Sequence, residues 1–330
     1  MATETDYLFI SARVRCLEND LLSADVLRRL TEAGDSAAFF SVLEEYGYPL
    51  MRNEINGKIG AEESFDAAWQ TTLQTVAQDV PDGAVVDFFR YGADCNNLKS
   101  ALKCAALGRD AAELLQDGSV SAACATEAVE KEDFSAYPEQ LAQGAAAALD
   151  AYRRTGDGRQ IDLILDRACF AQMAQAAQGE PFLQELLARR ADTTNLLTAL
   201  RLARREGATA RRLFPEAALP GGVLPVAELA AAVEGGPEQV AEFIARSPYA
   251  ALCALGDVAT LPFQTLSRGA EDLCLSFAEE AKWVPFGAPV VACYLLAKET
   301  EVKNLRMILA GIRAGVPAAE MQGRLRRLCC

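Results

Sequence analysis

Histidine is absent from the 330-residue chain, and this absence excludes several kinds of chemistry at once. No imidazole can act as general base, zinc ligand or pH switch, so Ser-His-Asp catalysis, Cys-His catalysis and His-based zinc sites are all ruled out. The 10 cysteines include no C-x-x-C pair, which leaves zinc ribbons and thioredoxin-like sites unsupported. Several of them, such as Cys253, sit among Ala and Leu and are instead expected to be small buried thiols in a reducing compartment.

Membrane spans and phosphate loops are also missing. No uninterrupted apolar run approaches the roughly 18 residues that cross a bilayer, and the acidic N-terminus has no apolar signal core. No G-x-x-x-x-G-K-[ST] motif occurs, because the segment 57–60 lacks both the spacing and the hydroxyl residue. The sequence therefore predicts a chain that does not hydrolyse ATP itself.

Acidic pairs are the remaining candidates for metal chemistry. Asp162 and Asp166 share a helix face and could hold Mg²⁺, but no second acidic helix motif accompanies them. An ion-paired or solvated face is therefore favoured, and neither metal nor cofactor is expected. An all-helical lyase or prenyl-transfer enzyme would need paired aspartate-rich helices, which are missing, so we predict a non-catalytic protein.

Composition indicates an all-α globular protein. The chain is 51% hydrophobic and 24% charged, and its net charge of −14 disfavours a nucleic-acid binder. Ala, Leu, Glu, Arg and Gln dominate, while β-branched runs are few. Helical spacing predicts helices over 36–46, 64–77, 162–177 and 226–245, with a break at the Gly-Gly-Pro of 235–237.

The most informative feature is an internal repeat. An acid, two residues and Asn-Leu recur about 100 residues apart, and each copy continues with apolar residues at i, i+3, i+4 and i+7. A glycine then offers a left-handed helix stop. The three copies are Asp94 with Asn97 and Gly108, Asp192 with Asn195 and Gly207, and Glu301 with Asn304 and Gly315.

Helix capping explains these polar positions at the level of sequence. The acids are predicted to lie just before or within a first helical turn, where they complement the helix dipole. The asparagines are predicted to bind backbone groups rather than a partner. A weaker fourth copy has Ser11 in the place of Asn97, and Leu22 to Leu27 then match the turn and second helix. The predicted domains are 1–93, 94–191 and 192–330, the last with a closing C-terminal copy.

These motifs carry a resemblance to a known family. Tyr7 with the Ala-Arg-Val-Arg of 12–15 resembles the opening of the C subunit of V-type and A-type ATP synthases, whose eukaryotic counterpart is the d subunit of the V-ATPase. The segments 94–99 and 294–306 are similar to that family's D-x-x-N-[IL]-K and Y-L-x-x-K-E-x-E-x-x-N-L-R motifs. The resemblance runs from Tyr7 to about Leu325. Ser11 and Leu197 depart from strict threefold equivalence.

The resemblance implies a fold and a function. The fold would be three related helical domains around a pseudo-threefold axis, forming a funnel. The broad end would receive the central shaft of the ATPase head, and the narrow end would sit on the membrane rotor ring at the cytoplasmic face. This peripheral central-stalk adapter would transmit torque for H⁺ or Na⁺ transport and would be a monomer outside the complex. A helical-repeat scaffold unrelated to ATPases is the alternative.

Charged positions beside the apolar stripes are the candidate partner contacts, although helix caps and solvated faces would explain them equally well. A second candidate surface is the basic C-terminal region, and a third is an arginine-rich segment; either would meet acidic partner loops or lipid headgroups, or would form intrahelical pairs on a solvated face. The adjacent Cys329 and Cys330 are expected to be frayed rather than lipid-modified. The candidates are Arg13, Lys99, Arg306, Asp94, Asp192 and Glu301, then Arg324, Arg326 and Arg327, then Arg201, Arg204, Arg205, Arg211 and Arg212.

Overall fold

The computed structural model describes residues 3–52, 57–205, 207 and 211–328, and within them it is almost entirely helical. The all-α prediction is confirmed; the β structure in these residues is a two-residue antiparallel pair, β1 (Met51–Arg52) with β2 (Ile59–Gly60). Cys329 and Cys330 lie outside the described residues. The α-helices in chain order are α1 Leu8–Leu17, α2 Ala24–Thr31, α3 Ser36–Glu45, α4 Ala61–Ala77, α5 Ala84–Ala106, α6 Ala123–Lys131, α7 Glu139–Thr155, α8 Arg159–Ala176, α9 Pro181–Ala203, α10 Phe214–Ala217, α11 Val226–Gly235, α12 Pro237–Arg246, α13 Phe263–Ala278, α14 Ala288–Arg313 and α15 Ala318–Arg324.

Local chemistry explains where several helices begin. The side chains of Ser23 and Asp35 accept hydrogen bonds from the backbone N–H groups of Val26 and Ala38, so they cap α2 and α3. Three of the predicted helices are found with ends within three residues of the prediction. The segment 226–245 is two helices, because Gly236 at φ +110° interrupts it and Pro237 starts a new helix.

The predicted glycine stops after α5 and α14 are confirmed, whereas α9 ends at Ala203, four residues before Gly207. Gly108, Gly207 and Gly315 have φ values of +63°, +94° and +69°, which is the left-handed region that side chains disfavour. After α14, the Val316 N–H donates to the Gly311 carbonyl at 2.9 Å and the Gly315 N–H to the Ile312 carbonyl at 3.0 Å. This pattern closes the end of the helix by satisfying carbonyls that would otherwise lack a donor.

The three long helices α5, α9 and α14 each carry one copy of the repeat motif, and we call the copies repeats 1, 2 and 3. Their acids are ten to thirteen residues inside the helix, so the prediction of a first-turn position is wrong. Apolar residues that precede each motif are buried and extend the helix toward its N-terminus. Examples are Phe88, Leu186 and Val291, each 0% exposed.

The chain divides into two compact units. The first contains residues up to Gly83 together with those from Cys274 onward, and the second contains Ala84–Leu273. In the first unit, Leu305 and Leu309 of α14 pack with Leu30 and Phe39 of the N-terminal helices. The second unit contains α5 to α12, with one core around Leu196, Leu200 and Phe214. The division at 93/94 and 191/192 stays a prediction; both of these junctions fall inside long helices, α5 and α9.

Candidate functional site: a clasp in each repeat

Each repeat asparagine holds the backbone of one residue in the loop that follows its helix. The Asn195 carbonyl accepts from the Leu219 N–H at 2.7 Å, while the Asn195 amide donates to the Leu219 carbonyl at 3.0 Å. Asn97 pairs with Gln116 at 3.0 and 2.5 Å, and Asn304 pairs with Arg326 at 2.9 and 3.1 Å. The prediction that these side chains bind backbone groups is confirmed, although the groups are about 20 residues further along the chain.

In repeats 1 and 2 the acid binds the same loop a few residues later. Asp94 accepts from the backbone N–H groups of Ser119 and Val120 at 3.1 and 3.2 Å, as well as from the Ser119 hydroxyl. Asp192 accepts from the N–H groups of Val223 and Leu224, both at 3.1 Å. All three acids are 0% exposed, and their internal contacts account for their burial. Whether they also contact a partner stays a prediction.

A glycine lets the loop approach the carboxylate in repeats 1 and 2. A Cβ at Gly118 would lie 2.1 Å from Oδ1 of Asp94, and one at Gly222 would lie 2.1 Å from Oδ1 of Asp192. The sequence did not indicate this role for either glycine, because Gly118 is 24 residues after its acid and Gly222 is 30 residues after its own. We call the asparagine, the acid and the loop that they hold the clasp of a repeat.

A buried tyrosine accompanies each clasp, and sequence reasoning missed all three. The Tyr249 hydroxyl donates to Oδ2 of Asp192 at 2.9 Å. Burial raises the pKa of Tyr137 and Tyr48, and the charges of Asp94 and Glu301 raise them further. The latter two hydroxyls are buried without a hydrogen-bond partner among the described residues. In each repeat the tyrosine comes after the one or two helices that follow the residues bound by the acid, and this recurrence was the signal that the sequence offered.

The clasp of repeat 3 joins the two ends of the described chain. Oε2 of Glu301 accepts from the Leu22 N–H at 2.7 Å, and Oε1 accepts from Nζ of Lys298 at 2.5 Å. Asn304 meanwhile holds Arg326 near the C-terminus. The loop that is continuous in repeats 1 and 2 is therefore split in repeat 3, and a cavity of about 450 Å³ lies there beside Glu301, Leu22 and Arg326.

The proposed fourth copy needs a correction. Leu22 lies two residues before α2, much as Val120 and Leu224 lie two or three residues before the equivalent helices, so this segment completes repeat 3 rather than opening another. Ser11 makes no asparagine-type clasp; its hydroxyl accepts from the Gly287 N–H at 3.1 Å. The motif match was misleading because residues far apart in sequence supply one repeat.

The candidate bases beside the clasps form ion pairs inside the chain. Lys99 pairs with Asp166, and the neighbouring Lys103 pairs with Asp162 at 2.5 Å, so the acidic pair on α8 is ion-paired as expected. Burial opposes the charge of Lys99, but nearby Cys95 and Asp166 outweigh it and raise the pKa of this lysine.

The same pattern recurs in the first compact unit. Arg306 contacts Glu62 at 2.8 Å and also Asp66 on α4, and Arg13 pairs with Asp79. Burial raises the pKa of Asp66, although Arg306 lowers it. Repeat 2 lacks this pair because Leu197 replaces the base.

The C-terminal bases are distributed among different contacts. Arg324 pairs with Glu320 on its own helix, as an intrahelical pair would. Arg327 contacts Glu279 at 2.9 Å, and the Arg326 backbone is held by Asn304. These contacts within the chain do not test the prediction that the three arginines contact a partner.

The clasps position backbone and offer no reactive group to a substrate. Among the described residues, no cluster of Cys, Asp and Glu side chains is arranged to hold a metal ion. No helix in the described ranges is both long enough and apolar enough to cross a bilayer. These features define a helical-repeat protein in which buried polar groups tie loops to long helices.

Comparison with known sequences identifies the family. The sequence model described as ATP synthase (C/AC39) subunit matches residues 10–324, and the chain belongs to this family. The family resemblance read from the motifs is therefore confirmed.

Relatives cover the whole length. The chain is 27% identical over 331 residues to the C subunit of the V-type ATP synthase of Thermus thermophilus, covering 96% of this chain and 97% of that protein. It is 25% identical over 348 residues to the C subunit of the A-type ATP synthase of Halorubrum lacusprofundi, covering 96% of each. It is 21% identical over 334 residues to the C subunit of the V-type sodium ATPase of Enterococcus hirae, covering 98% and 99%.

Proposed function

We propose that this chain is the non-catalytic central-stalk adapter of a rotary V/A-type ATPase. It links the shaft of the ATP-synthesising or ATP-hydrolysing head to the membrane rotor ring, and torque for H⁺ or Na⁺ transport passes through it. The observation that carries this proposal is the family match over residues 10–324, because it covers all three repeats rather than one motif. Relatives that cover nearly the full chain are named as subunits of such complexes.

The clasps support a mechanical role. An adapter under torque must resist deformation, and close-packed helices transmit strain rather than absorb it. Each clasp fastens the loop after a long helix to the middle of that helix, through buried hydrogen bonds from both an amide and a carboxylate. Buried polar networks that are satisfied in this way rigidify a fold. The buried acids, which could otherwise suggest catalysis, are thereby occupied by hydrogen bonds from backbone N–H groups.

The architecture of the proposal is a funnel of three related domains around a pseudo-threefold axis, at the cytoplasmic face of the membrane. Its broad end receives the shaft and its narrow end contacts the ring. In all three clasps the asparagine accepts from one backbone N–H in an equivalent position, and this recurrence supports three related domains. Small-angle scattering of the isolated chain tests the shape: a hollow funnel is expected, and an open arc or a solid globule would contradict it.

Co-purification tests the function directly. The tagged chain, expressed with the remaining ATPase subunits, is expected to isolate both the shaft subunits and the rotor ring. Isolation of neither would reject the adapter role.

The C-terminal bases are the proposed contact with the ring. Arg324, Arg326 and Arg327 lie in a short stretch that the clasp of repeat 3 holds in place. Reversing all three to Glu is expected to weaken docking to the ring, since it replaces attraction for acidic loops or headgroups by repulsion. Binding of the purified variant to reconstituted rings measures this; unchanged binding would remove the patch from the interface.

A further inference from the structure

Three arginines near the end of α9 form what we call the α9 arginine cluster, and the side chains of two of them are held by contacts within the chain. The three are Arg201, Arg204 and Arg205. The guanidinium carbons of Arg201 and Arg204 lie 5.2 and 4.4 Å from the centre of the Phe263 ring, so both stack on one aromatic side chain. Nη2 of Arg204 also donates to the Val258 carbonyl at 2.7 Å. Arg201 and Arg205 are exposed, so their positive charges face solvent.

Within the part of the chain that the structure describes, none of the three forms an ion pair with a carboxylate. Burial lowers the pKa of Arg204, and the charge of Asp257 opposes this effect. The other repeats provide an internal comparison. Arg201 is six residues after its repeat asparagine, as Lys103 is in repeat 1, yet Lys103 is neutralised by Asp162. In repeat 2 the corresponding base, Arg201, instead stacks on the ring of Phe263. The expected alternative, a face of intrahelical ion pairs, is therefore not what is observed for this cluster.

Positive charge concentrated in this way is unfavourable for the isolated chain. Bases at positions i, i+3 and i+4 repel one another on a helix. The negative end of the helix dipole, the Phe263 ring and the charge of Asp257 offset part of this repulsion. The whole chain nevertheless carries a net charge of −14 with acids in excess. Arginines that form no ion pair among the described residues of an acidic protein keep their charge available for an acid outside the chain. Arginine is suited to this because its planar fork binds carboxylates through two parallel hydrogen bonds.

We propose that the α9 arginine cluster is the docking site for an acidic segment of another subunit, bound through Asp or Glu side chains. This inference rests on the proposed function, because the partner belongs to the same complex. An anionic lipid surface is disfavoured as the partner. Attraction to a membrane increases with the number of bases near it, and a chain of net charge −14 is repelled by an anionic leaflet. Three neighbouring guanidinium groups, two of them oriented by Phe263, instead suit short-range pairing.

A matched pair of double variants tests the site. Arg201→Glu with Arg205→Glu reverses two exposed members of the cluster while leaving Arg204 on Phe263. Arg109→Glu with Arg154→Glu makes the same change in net charge at two exposed arginines that also have no carboxylate partner among the described residues. Purified variants are added to a complex that lacks this subunit, and their association is measured at several salt concentrations. The cluster variant is expected to associate at least about tenfold more weakly, and the control to match the wild type.

Cross-linking identifies the partner chemistry. Arg205→Lys places a primary amine at the site, and a carbodiimide then joins that amine to any adjacent carboxylate as an amide, with loss of water. Mass spectrometry of the reassembled complex is expected to find the introduced amine joined to an acidic segment of another subunit, whereas Arg154→Lys is expected to give no such product. Adding vesicles with and without phosphatidylserine to the isolated chain tests the lipid alternative.

The outcomes separate this inference from the proposed function. If wild type, control and cluster variants all rejoin the complex equally, the docking site is wrong and the adapter role stands. Cluster-dependent binding to phosphatidylserine vesicles, with no carboxylate cross-link, would also overturn the docking site as stated. If the wild-type chain does not rejoin the complex at all, both proposals fail together.

Discussion

Each of two buried carboxylates in this protein leaves no room for a side chain at one neighbouring loop position. Asp94 and Asp192 are buried, and each accepts hydrogen bonds from two successive backbone N–H groups. Such an approach requires a residue without a side chain at the adjacent loop position. The sequence pattern located both acids correctly, but it could not reveal their role because their donors lie 25 to 32 residues away.

Gly222→Ala tests this requirement. The new Cβ would lie 2.1 Å from Oδ1 of Asp192, so the carboxylate must move and its bonds to the loop must lengthen. We expect the free energy of unfolding to fall by about 1–3 kcal/mol, as for other overpacked sites. Urea unfolding measures it. Gly92→Ala is the control, since nothing lies within 4 Å of its Cβ in α5, and it is expected to gain roughly 0.5–1 kcal/mol. Equal effects at the two positions would contradict the clasp.

Asp94 gives the stability a pH dependence of defined sign. Burial raises the pKa of Asp94 above its ordinary value of 3.8, although hydrogen bonds from Ser119 and Val120 act in the opposite direction. Between the unfolded-state and folded-state pKa values the folded chain binds more protons, so its free energy of unfolding falls as pH rises through that window. Above the folded-state pKa the contribution is constant.

Asp94→Asn removes this titration. The difference in the free energy of unfolding between wild type and variant is therefore expected to shift in favour of the variant as pH rises from about 4, and then to level off. Urea titrations of both proteins between about pH 4 and pH 7 measure this. A difference that moves toward the wild type over the same range would show that the folded-state pKa is lowered instead.

Among the long helices, the sequence predicted C-terminal ends better than it predicted starts. The glycine stops after α5 and α14 were predicted because left-handed backbone has a local cause in residue type. The starts of the long helices were misplaced by ten residues or more, because buried apolar residues continue each helix toward its N-terminus. In α9 the start was overlooked although Glu180 caps it and Pro181 is its first residue. Burial on several sides obscures helical periodicity, so packing decides where these helices begin.

Gly315→Ala tests the stop of α14. The residue has a φ of +69°, so a side chain there is strained even though nothing lies within 4 Å of the added Cβ. A loss of about 1–2 kcal/mol in the free energy of unfolding is expected. Gly323→Ala in α15 has equally open surroundings without a left-handed φ, and it is expected to cause no loss. Thermal or urea denaturation of the two variants side by side distinguishes backbone strain from steric conflict.

At the scale of the molecule, the two ends of the chain build one repeat together. Glu301 and Asn304 hold Leu22 and Arg326, and Met321 of α15 is 2% exposed. A chain that ends after Gly315 loses α15 and the Arg326 partner of Asn304. The helices of the first compact unit should then open more readily, while those within Ala84–Leu273 keep their protection.

Hydrogen exchange with mass spectrometry measures this selectivity. Faster exchange is expected in α2, α3 and α14 of the truncated chain, with α5 to α12 unchanged. Gly222→Ala provides the reciprocal control, because its effect is expected within Ala84–Leu273. Exchange that accelerates uniformly along the truncated chain would show that the two units are not separately stable.

Residue type and spacing by themselves determined the helical class, the threefold recurrence of acid and asparagine, the glycine stops and the family. Each of these has a local or periodic cause that short stretches of sequence carry. Only the tertiary structure decided what the acids bind, which tyrosines accompany them, and that Leu22 completes the repeat of Glu301. Those contacts join residues from 25 to 279 positions apart, and backbone N–H donors look alike in every sequence until the fold selects which of them meets a carboxylate.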